Sequence, residues 1–373
     1  MESKTVEQLK NICRKKGLKI SGNKSELILR IKKSSKSPKK RLTYGMSQKV
    51  SEKREDKVNS FVLSSPTETY IGTGKILGKG AFGVVYEGYN SKSMSKLKNP
   101  DMVAIKYMKD RNSFEKEYII AEFITAMFRK YCGKYISCIK DTIIHDNHHF
   151  IVYSKAYSDL HKWMIEKGAN PYVYFFSGQP ETRMFNYEYM NNLTQKEKYV
   201  FIKSMLSSLS FYIKNGIIHR DIKIDNILVY KDTKHGTDDI MFIIADYGLL
   251  CLDAMKQNVP SKFSSVKCKS FGQVVGTEVW MPRRLQDNYK NIKQQYLVDI
   301  YAMGCTLYTF LTGILPQTMN KDLRLFEYPS DIVYDGNIIK KEDISSLILD
   351  MIYINSFDEF FSRRDPMNFL KRI

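Results

Sequence analysis

The sequence predicts an α+β protein that consists of one large domain and a small helical appendage. The chain has 373 residues, which is long enough for a two-lobed domain preceded by a short module. Apolar and β-branched residues flank a glycine-rich turn within residues 76–85, which indicates paired strands, whereas residues 5–31 show helical apolar patterns. We therefore expect a helical module at residues 1–35, a basic flexible linker at residues 36–69 and one domain at residues 70–373.

Hydropathy and cysteine spacing argue against membrane and secreted proteins. No apolar run approaches the roughly 18 residues that a membrane-spanning helix needs. Met1 to Lys4 lead into a polar helical pattern and not into the apolar core of a secretion signal. We therefore expect an intracellular protein, or one inside a particle assembled in a cell, with no membrane partner. The absence of a Cys-x-x-Cys pair favours reduced thiols over disulfides or a zinc site at Cys13, Cys132, Cys138, Cys251, Cys268 and Cys305.

The net charge of +19 is concentrated near the N terminus. Residues 1–60 contain 18 Lys/Arg and 6 Asp/Glu and therefore carry +12. A compact basic segment favours a polyanionic partner such as nucleic acid, although a solvated basic tail would have the same composition. Residues 32–41 lack apolar periodicity, which indicates a flexible linker. This run fits a nuclear localisation signal, an extension of a DNA contact or a solvated tether, and all three stay open.

Residues 1–35 carry the pattern of two short helices. Thr5 and Gln8 form a capping box, and Gly17 can adopt the left-handed conformation that ends a helix. Asn23 and Glu26 provide the cap of a second helix. The two apolar faces consist of Val6, Leu9, Ile12, Cys13, Leu27, Ile28 and Ile31, and the basic residues outside them are Lys16, Lys19, Lys24 and Arg30.

This pattern resembles the SAP motif at almost every family position. The matching residues are Val6-x-x-Leu9-Lys10, Cys13-x-x-x-Gly17-Leu18, Gly22-x-Lys24-x-Glu26-Leu27 and Arg30-Ile31. The resemblance implies a helix-hairpin module that binds duplex DNA, mainly through phosphates, which set affinity more than sequence preference. A helical pair that docks a protein partner is the alternative.

A glycine-rich turn lies between two predicted strands near the start of the large domain. Phosphate oxygens need backbone N–H groups at close range, and side chains at the glycines would block that approach. Such a turn is weak evidence alone, since many glycine turns are only turns. The predicted nucleotide-phosphate site consists of Leu77, Gly78, Lys79, Gly80, Ala81, Phe82, Gly83, Val84 and Val85.

An apolar strand that ends at Lys106 follows this turn. An ammonium group beside a glycine-rich hairpin suits the α- and β-phosphates of a nucleotide. Lys106 needs a carboxylate partner, and a helical pattern over residues 113–129 offers Glu115, Glu117 and Glu122, of which Glu117 and Glu122 are the candidates. These two glutamates lie on different faces of the helix, so only one of them can pair with Lys106.

Residues 217–226 carry the strongest chemical signal in the chain. A hydroxyl nucleophile must be oriented in line with the γ-phosphorus, and Asp221 can accept its proton or its hydrogen bond. Lys223 can neutralise charge on the moving phosphoryl group. The amide oxygen of Asn226 suits Mg²⁺, which prefers hard oxygen ligands. An apolar strand further along the chain delivers Asp246 as a second metal ligand.

With these motifs in this order, residues 70–373 resemble a eukaryotic-type protein kinase domain. The resemblance implies a β-rich N-lobe, an α-helical C-lobe and ATP with Mg²⁺ between them. It also implies a hinge at residues 153–156, where the backbone at Ser154 and Ala156 meets the adenine. Lys223, two residues after the catalytic aspartate, is the serine/threonine form, so the expected substrates are serine and threonine hydroxyls of proteins.

The same resemblance assigns further roles. The family's local pattern favours Glu117 as the partner of Lys106, whereas its usual distance along the chain favours Glu122, and we prefer Glu117. Asp299 resembles the aspartate that starts the central C-lobe helix and braces the catalytic loop. Thr277, after a glycine, is a second mark of the serine/threonine form and also a candidate phosphorylation site. Tyr247 replaces the family's phenylalanine and keeps a packing ring.

Residues 276–284 depart from the kinase pattern because they lack its Ala-Pro-Glu. Arg283 or Arg284 stands where the family has a glutamate, and the expected partner is another arginine, Arg363 or Arg364. Two like charges repel, so the anchor of these residues must be rebuilt. The resemblance implies that residues 276–284 support the substrate, and they are here called the substrate platform.

The interpretation that joins both parts is an active serine/threonine kinase tethered to DNA by residues 1–35. This combination resembles kinases of large DNA viruses, and a nuclear or virion-associated location follows from it. The alternative is a DNA-binding scaffold whose kinase fold no longer transfers phosphate. Loss of Lys106, Asp221 or Asp246 would have favoured the scaffold, and all three are present.

Overall fold

The structure is a computed structural model that describes residues 5–7, 10, 24, 60–80, 83–93, 101–173, 177–232, 239–256, 261–268, 272–273, 275–285, 288–289, 291–363 and 366–372. The chain divides into two compact units, Met1–Glu52 and Lys53–Ile373. In the first unit, the described residues Val6, Glu7, Lys10 and Lys24 are helical. The other predicted features of residues 1–59, including the linker up to that point, lie outside the described residues.

The second unit begins with a six-stranded antiparallel sheet in the order β1-β2-β3-β4-β6-β5. Further strand pairs follow along the chain, β9 between β7 and β10 among them. The strands are β1 (Phe61–Ser64), β2 (Thr69–Lys79), β3 (Gly83–Asn90), β4 (Met102–Met108), β5 (Ile139–His145), β6 (His148–Ser154), β7 (Ser158–Asp159), β8 (Ile217–Ile218), β9 (Ile227–Asp232), β10 (Asp239–Ile244), β11 (Cys251–Leu252), β12 (Gly272–Gln273), β13 (Asn288–Tyr289), β14 (Ile332–Tyr334) and β15 (Asn337–Ile339).

Strand β1 corrects the predicted linker. Residues 61–64 were expected within the flexible segment 36–69, but they pair with β2 from Phe61↔Gly72 to Ser64↔Thr69. Leu63 is buried, and its side chain belongs to the apolar cluster on the sheet. A four-residue strand is too short for a clear alternating pattern, so the pairing with β2 decides the conformation.

Helices dominate the rest of the unit, which confirms the α+β prediction. Asp110 caps the first helix by accepting the Ser113 N–H at 2.7 Å, so this helix starts two residues before the predicted Ser113. The helix that contains Asp299 starts earlier than expected, because Asn291 caps it. The α-helices are α1 (Arg111–Phe128), α2 (Leu160–Glu166), α3 (Tyr187–Asn191), α4 (Gln195–Lys214), α5 (Ile292–Thr312), α6 (Lys341–Ile352), α7 (Phe357–Arg363) and α8 (Pro366–Leu370).

The main core lies among α2, α4, α5 and β10. The Phe201 and Phe310 rings stack with their centroids 3.7 Å apart, and Trp163 stacks on Phe310 at 5.8 Å. These aromatic side chains are fully buried, and burial of their apolar surface is the main favourable contribution to folding. Among the described residues, no helix is both long enough and apolar enough to cross a membrane.

The expectation of reduced thiols is wrong for four cysteines. Cys132 is disulfide-bonded to Cys138, and Cys251 is disulfide-bonded to Cys268, with Cα atoms 5.5 Å and 5.0 Å apart. Cys305 is a buried thiol. The spacing along the chain could not predict these pairs, because disulfide formation depends on the distance between Cα atoms in the folded protein.

Close packing between α5 and α6 depends on Gly304. A Cβ atom at this position would lie 2.7 Å from Met351 Cβ and 3.3 Å from the Ile352 backbone nitrogen. We predict that Gly304→Ala lowers the free energy of unfolding by about 1–3 kcal/mol because the helices must separate. A loss of stability would show that the close contact dominates, since replacing glycine by alanine in a helix interior otherwise stabilises a protein by about 1 kcal/mol.

Denaturant unfolding monitored by circular dichroism measures this effect. The matched control is Gly78→Ala, because a Cβ atom there meets no atom within 4 Å. A Gly304→Ala midpoint that equals or exceeds that of the unsubstituted protein would contradict the prediction.

Candidate active site

A cavity of ≈ 590 Å³ lies between the six-stranded sheet and the helical part of the second unit. It is within the usual size of small-ligand sites. Most of the predicted nucleotide and metal residues line it: Leu77, Gly78, Lys79, Gly80, Gly83, Val85, Lys106, Glu117, Ser154, Ala156, Asn226 and Asp246. Val84 is buried and is not part of the lining, because successive strand residues face opposite sides of a sheet. Ala81 and Phe82 lie outside the described residues.

The three glycines of the turn between β2 and β3 differ in their surroundings. A Cβ atom on Gly78 or Gly80 would meet no atom within 4 Å, so both positions leave open space. A Cβ atom on Gly83 would lie 2.0 Å from the carbonyl oxygen of Tyr107. Gly83 is therefore required for the pairing of β3 with β4. This packing requirement is separate from the close approach of phosphate oxygens that the sequence predicts for the three glycines.

Lys106 on β4 lies between two carboxylates. Its Nζ donates to both carboxylate oxygens of Glu117 at 2.7 Å and lies 3.4 Å from Asp246 Oδ1. Burial disfavours the Lys106 ammonium, but Glu117 and then Asp246 outweigh this effect and raise its pKa. Of the two glutamates considered on α1, Glu117 is the one in contact with Lys106, whereas Glu122 lies beside the Tyr118 hydroxyl.

The loop of residues 219–226, here called the catalytic loop, brings the predicted catalytic groups together. Lys223 Nζ lies 2.8 Å from Asp221 Oδ2, and Asn226 Nδ2 donates to the same oxygen at 2.9 Å. Thr277 completes the group: its hydroxyl donates to Asp221 Oδ1 at 2.7 Å and accepts from Lys223 Nζ at 2.8 Å. The Thr277 hydroxyl is thus occupied inside the site, which opposes its expected role as a phosphorylation site.

Asp299 on α5 holds the backbone of the catalytic loop. Its buried carboxylate accepts the N–H of His219 at 2.6 Å and that of Arg220 at 2.7 Å. Arg220 has φ +66°, a left-handed conformation that is unfavourable for a non-glycine residue and needs such support. Burial lowers the pKa of the His219 imidazole, whose Nδ1 accepts the N–H of Asp221 at 3.4 Å and whose Nε2 lies 3.1 Å from the carbonyl oxygen of Ala245.

Asn226 and Asp246 both line the cavity and both carry side-chain oxygens. The Asn226 amide nitrogen donates to the Asp221 backbone and carboxylate, both at 2.9 Å, which leaves the amide oxygen as an acceptor. Although burial acts against the ionised form, Lys106 and the Gly248 N–H lower the pKa of Asp246. One amide oxygen and one carboxylate suit Mg²⁺, which usually takes few protein ligands and completes its shell with water and phosphate.

Comparison with known proteins agrees with this geometry. Residues 71–353 match the family model of the protein kinase domain. The chain belongs to the protein kinase family. Residues 1–34 match the model of the SAP domain. Thus the two motifs identified in the sequence correspond to two recognised families.

Curated relatives of this kinase align over part of their length. They include the serine/threonine-protein kinase cds1 of Schizosaccharomyces pombe, 29% identical over 40% of this chain and 30% of that protein. The probable serine/threonine-protein kinase MARK-B of Dictyostelium discoideum is 29% identical over 43% of this chain and 20% of its own. The serine/threonine-protein kinase PKH3 of Saccharomyces cerevisiae is 31% identical over 34% of this chain and 14% of its own length. The chain therefore spans less than a third of the length of these relatives.

Two departures of this kinase from the family pattern have structural counterparts. The Tyr247 hydroxyl donates to the backbone carbonyl of Ser137, in the loop after α1, a contact that phenylalanine could not make. The sequence alone predicts only a packing role for this ring. At the substrate platform, Arg283 is exposed, while Trp280 and Leu285 are buried in the main core. The side chains of Arg284, Arg363 and Arg364 lie outside the described part of the chain.

The segment after α2 also reaches the catalytic loop. The Tyr172 hydroxyl donates to Asp225 Oδ2 at 2.7 Å, and His161 Nδ1 lies 3.2 Å from Asp225 Oδ1. Burial opposes ionisation of Asp225, but the bonds from His161 and Tyr172 outweigh it and lower its pKa. No sequence motif identified Tyr172, because its contact depends on the path of the segment and not on local spacing.

The bridging position of Thr277 gives a testable prediction for this kinase. We expect Thr277→Ala to lower kcat by about tenfold or more, because a hydrogen bond to a charged group contributes about 1.5–3 kcal/mol. Thr277→Ser keeps the hydroxyl and should retain most of the activity. Steady-state kinetics on a peptide substrate measure both variants, and equal losses in the two would refute a role for the hydroxyl.

Proposed function

We propose that the protein transfers the γ-phosphoryl group of ATP, with Mg²⁺, to serine or threonine hydroxyls of protein substrates. The contacts of Asp221 with Lys223 and Thr277 carry this proposal, since they assemble a proton acceptor and a cation beside the cavity. The names of the relatives support the serine/threonine class. In this proposal the sheet and the helical part are the N-lobe and C-lobe of a two-lobed kinase fold.

The proposed nucleotide position follows from the lining of the cavity. The adenine lies against the backbone near Ser154 and Ala156, and the triphosphate extends below Gly78 and Gly80. Open space beside these glycines allows phosphate oxygens to approach their backbone N–H groups. Lys106, whose raised pKa keeps it charged, contacts the α- and β-phosphates.

The catalytic loop performs the transfer. Asp221 orients the substrate hydroxyl and accepts its proton as the hydroxyl oxygen bonds to the γ-phosphorus and the bond to the leaving ADP oxygen breaks. Lys223 lies within 2.8 Å of Asp221 and stabilises negative charge on the phosphoryl group in transfer. Thr277 fixes both side chains through its single hydroxyl.

The amide oxygen of Asn226 and the carboxylate of Asp246 would hold Mg²⁺. When bound, the ion neutralises charge on the phosphate oxygens. Asp246 suits this role because Lys106 and the Gly248 N–H favour its ionised form. Its φ of +68° is strained for a non-glycine residue, and such strain is typical of functional sites.

We further propose that residues 1–35 bind duplex DNA and tether the kinase to it. The SAP match and the +12 charge of residues 1–60 support this role. A tether raises the effective concentration of DNA-bound substrates. The proposal favours a nuclear or virion-associated location, in agreement with the resemblance to kinases of large DNA viruses.

Transfer of radiolabel from γ-labelled ATP tests the enzymatic proposal. We expect the purified protein, with Mg²⁺ and a mixed protein substrate, to label serine and threonine. Asp221→Ala should lower the rate by at least about 100-fold, because proton acceptance and orientation are lost together. Phosphoamino-acid analysis identifies the acceptor residue.

Label on tyrosine would overturn the serine/threonine class and leave kinase activity in place. ATP binding without any transfer would favour a DNA-binding scaffold over an enzyme. Equal rates for the protein and Asp221→Ala would remove Asp221 from the catalytic role.

DNA binding is tested on the full chain by neutralising charge. We predict that replacing Lys16, Lys19, Lys24 and Arg30 by alanine weakens duplex DNA binding and lowers the salt dependence of log Kd, by about 0.9 for each phosphate that the protein no longer neutralises. Fluorescence anisotropy across a salt series gives both quantities.

The matched control replaces four basic residues of the linker, Lys36, Lys39, Lys40 and Arg41. A larger loss of affinity in this control than in the module variant would assign the DNA contact to the linker. Unchanged affinity in the module variant would refute DNA binding by residues 1–35.

A further inference from the structure

Tyr153 presents a hydroxyl to the carboxylate that pairs with Lys106. Its Oη donates to Glu117 Oε1 at 3.2 Å, and Lys106 Nζ donates to the same oxygen at 2.7 Å. Tyr153 lines the cavity, and it begins the hinge at residues 153–156 that the resemblance implies, but the contact of its side chain with Glu117 was not predicted. Glu117 therefore receives donors from two different strands of the sheet.

Strand register explains why the two donors converge. Lys106 on β4 pairs with Ile151 on β6, and Ala104 pairs with Tyr153. Tyr153 is thus the diagonal neighbour of Lys106 on the same face of the sheet, a distance that long side chains can span. Both donors are fixed by the sheet, whereas their acceptor Glu117 belongs to helix α1.

Burial makes the Tyr153 contact consequential. Glu117 is only 2% exposed, so its carboxylate has little water to replace a missing donor. Burial and the nearby Glu117 hold the pKa of Tyr153 well above its ordinary value. The Tyr153 hydroxyl is therefore protonated, and it donates to the carboxylate.

We propose that Tyr153 is a positioning residue, which orients Glu117 and through it sets the place of the Lys106 ammonium in the nucleotide cavity. This inference rests on the proposed function, in which Lys106 contacts ATP. The Tyr153 hydroxyl limits rotation of the Glu117 carboxylate, so that both of its oxygens stay toward Lys106 at 2.7 Å. Without this hydroxyl, Glu117 has one donor fewer, and Lys106 is held in place less firmly.

A double-mutant cycle of Tyr153→Phe and Glu117→Ala tests this coupling. Phenylalanine keeps the ring and removes only the hydroxyl, so we expect a melting temperature lowered by only about 2–4 °C and a roughly tenfold lower kcat/KM for ATP. In the Glu117→Ala background, Tyr153→Phe should have no further effect, because the hydroxyl already lacks its acceptor. The Kd for ATP gives a second readout for all four proteins.

Tyr107→Phe is the matched control. Tyr107 follows Lys106 on β4, and its hydroxyl contacts His148 Nδ1 at 3.2 Å, away from Glu117. This control should retain the kcat/KM and the Kd of the unsubstituted protein. A Tyr107→Phe loss of activity equal to that of Tyr153→Phe would overturn the inference, since any hydroxyl of the sheet would then matter.

The remaining outcomes separate the inference from the proposed function. Additive effects in the cycle would overturn the inference, because the hydroxyl would then act without Glu117. An inactive Glu117→Ala beside a fully active Tyr153→Phe would also overturn it while the proposed function stands. Full activity of Glu117→Ala would reject the proposed role of the Lys106–Glu117 pair, and the inference with it.

Discussion

The buried carboxylate of Asp299 is the constraint on which the rest of the active site depends. It accepts two successive backbone N–H groups, those of His219 and Arg220, and so fixes the direction in which the chain enters the catalytic loop. Asp221 follows immediately, and Lys223 and Asn226 are placed by the turn that begins there. Because Asp299 lies on α5, in the middle of the main core, core packing determines the geometry of the proposed catalytic groups.

Across the cavity, the arrangement depends on one cation and two carboxylates. Lys106 lies 2.7 Å from Glu117 and 3.4 Å from Asp246, and these groups belong to β4, α1 and the segment after β10. Burial acts against each charge alone and the two carboxylates repel each other, so their ionised forms depend on Lys106 lying between them when the three elements are together. The ion pairs thereby couple the position of α1 to that of the segment after β10, which carries Asp246.

Local spacing made part of this site predictable. Asp221, Lys223 and Asn226 lie within six residues, so their relation hardly depends on the rest of the fold. The partner of Lys106 was harder to predict, because Glu117 and Glu122 lie on different faces of α1. The rotation of α1 about its axis decides which of the two faces meets Lys106. That rotation is set by packing, and it brings Glu117 to Lys106.

Contacts between residues far apart in the sequence could not be predicted, because they depend on the path of the chain in the folded protein. Thr277 meets Asp221 from 56 residues away, and the Tyr172 and Asp225 contact spans 53 residues. The cysteine pairs could not be predicted for the same reason, as spacing does not reveal which Cα atoms approach to 5.0–5.5 Å. The six-stranded sheet was easier to anticipate from its glycine turn and apolar strands, except for β1, whose four residues depend on β2.

The departures from the kinase pattern change the physical nature of two attachments. Trp280 and Leu285 attach the substrate platform by burial in the core, where the family pattern has a pair of opposite charges. The Tyr247 hydroxyl donates a hydrogen bond to the Ser137 carbonyl and so connects the segment after β10 to the loop after α1. Screening by salt weakens ion pairs at a surface but has little effect on buried apolar contacts. An arginine in place of the family's glutamate therefore does not by itself release the platform, because burial of Trp280 holds it.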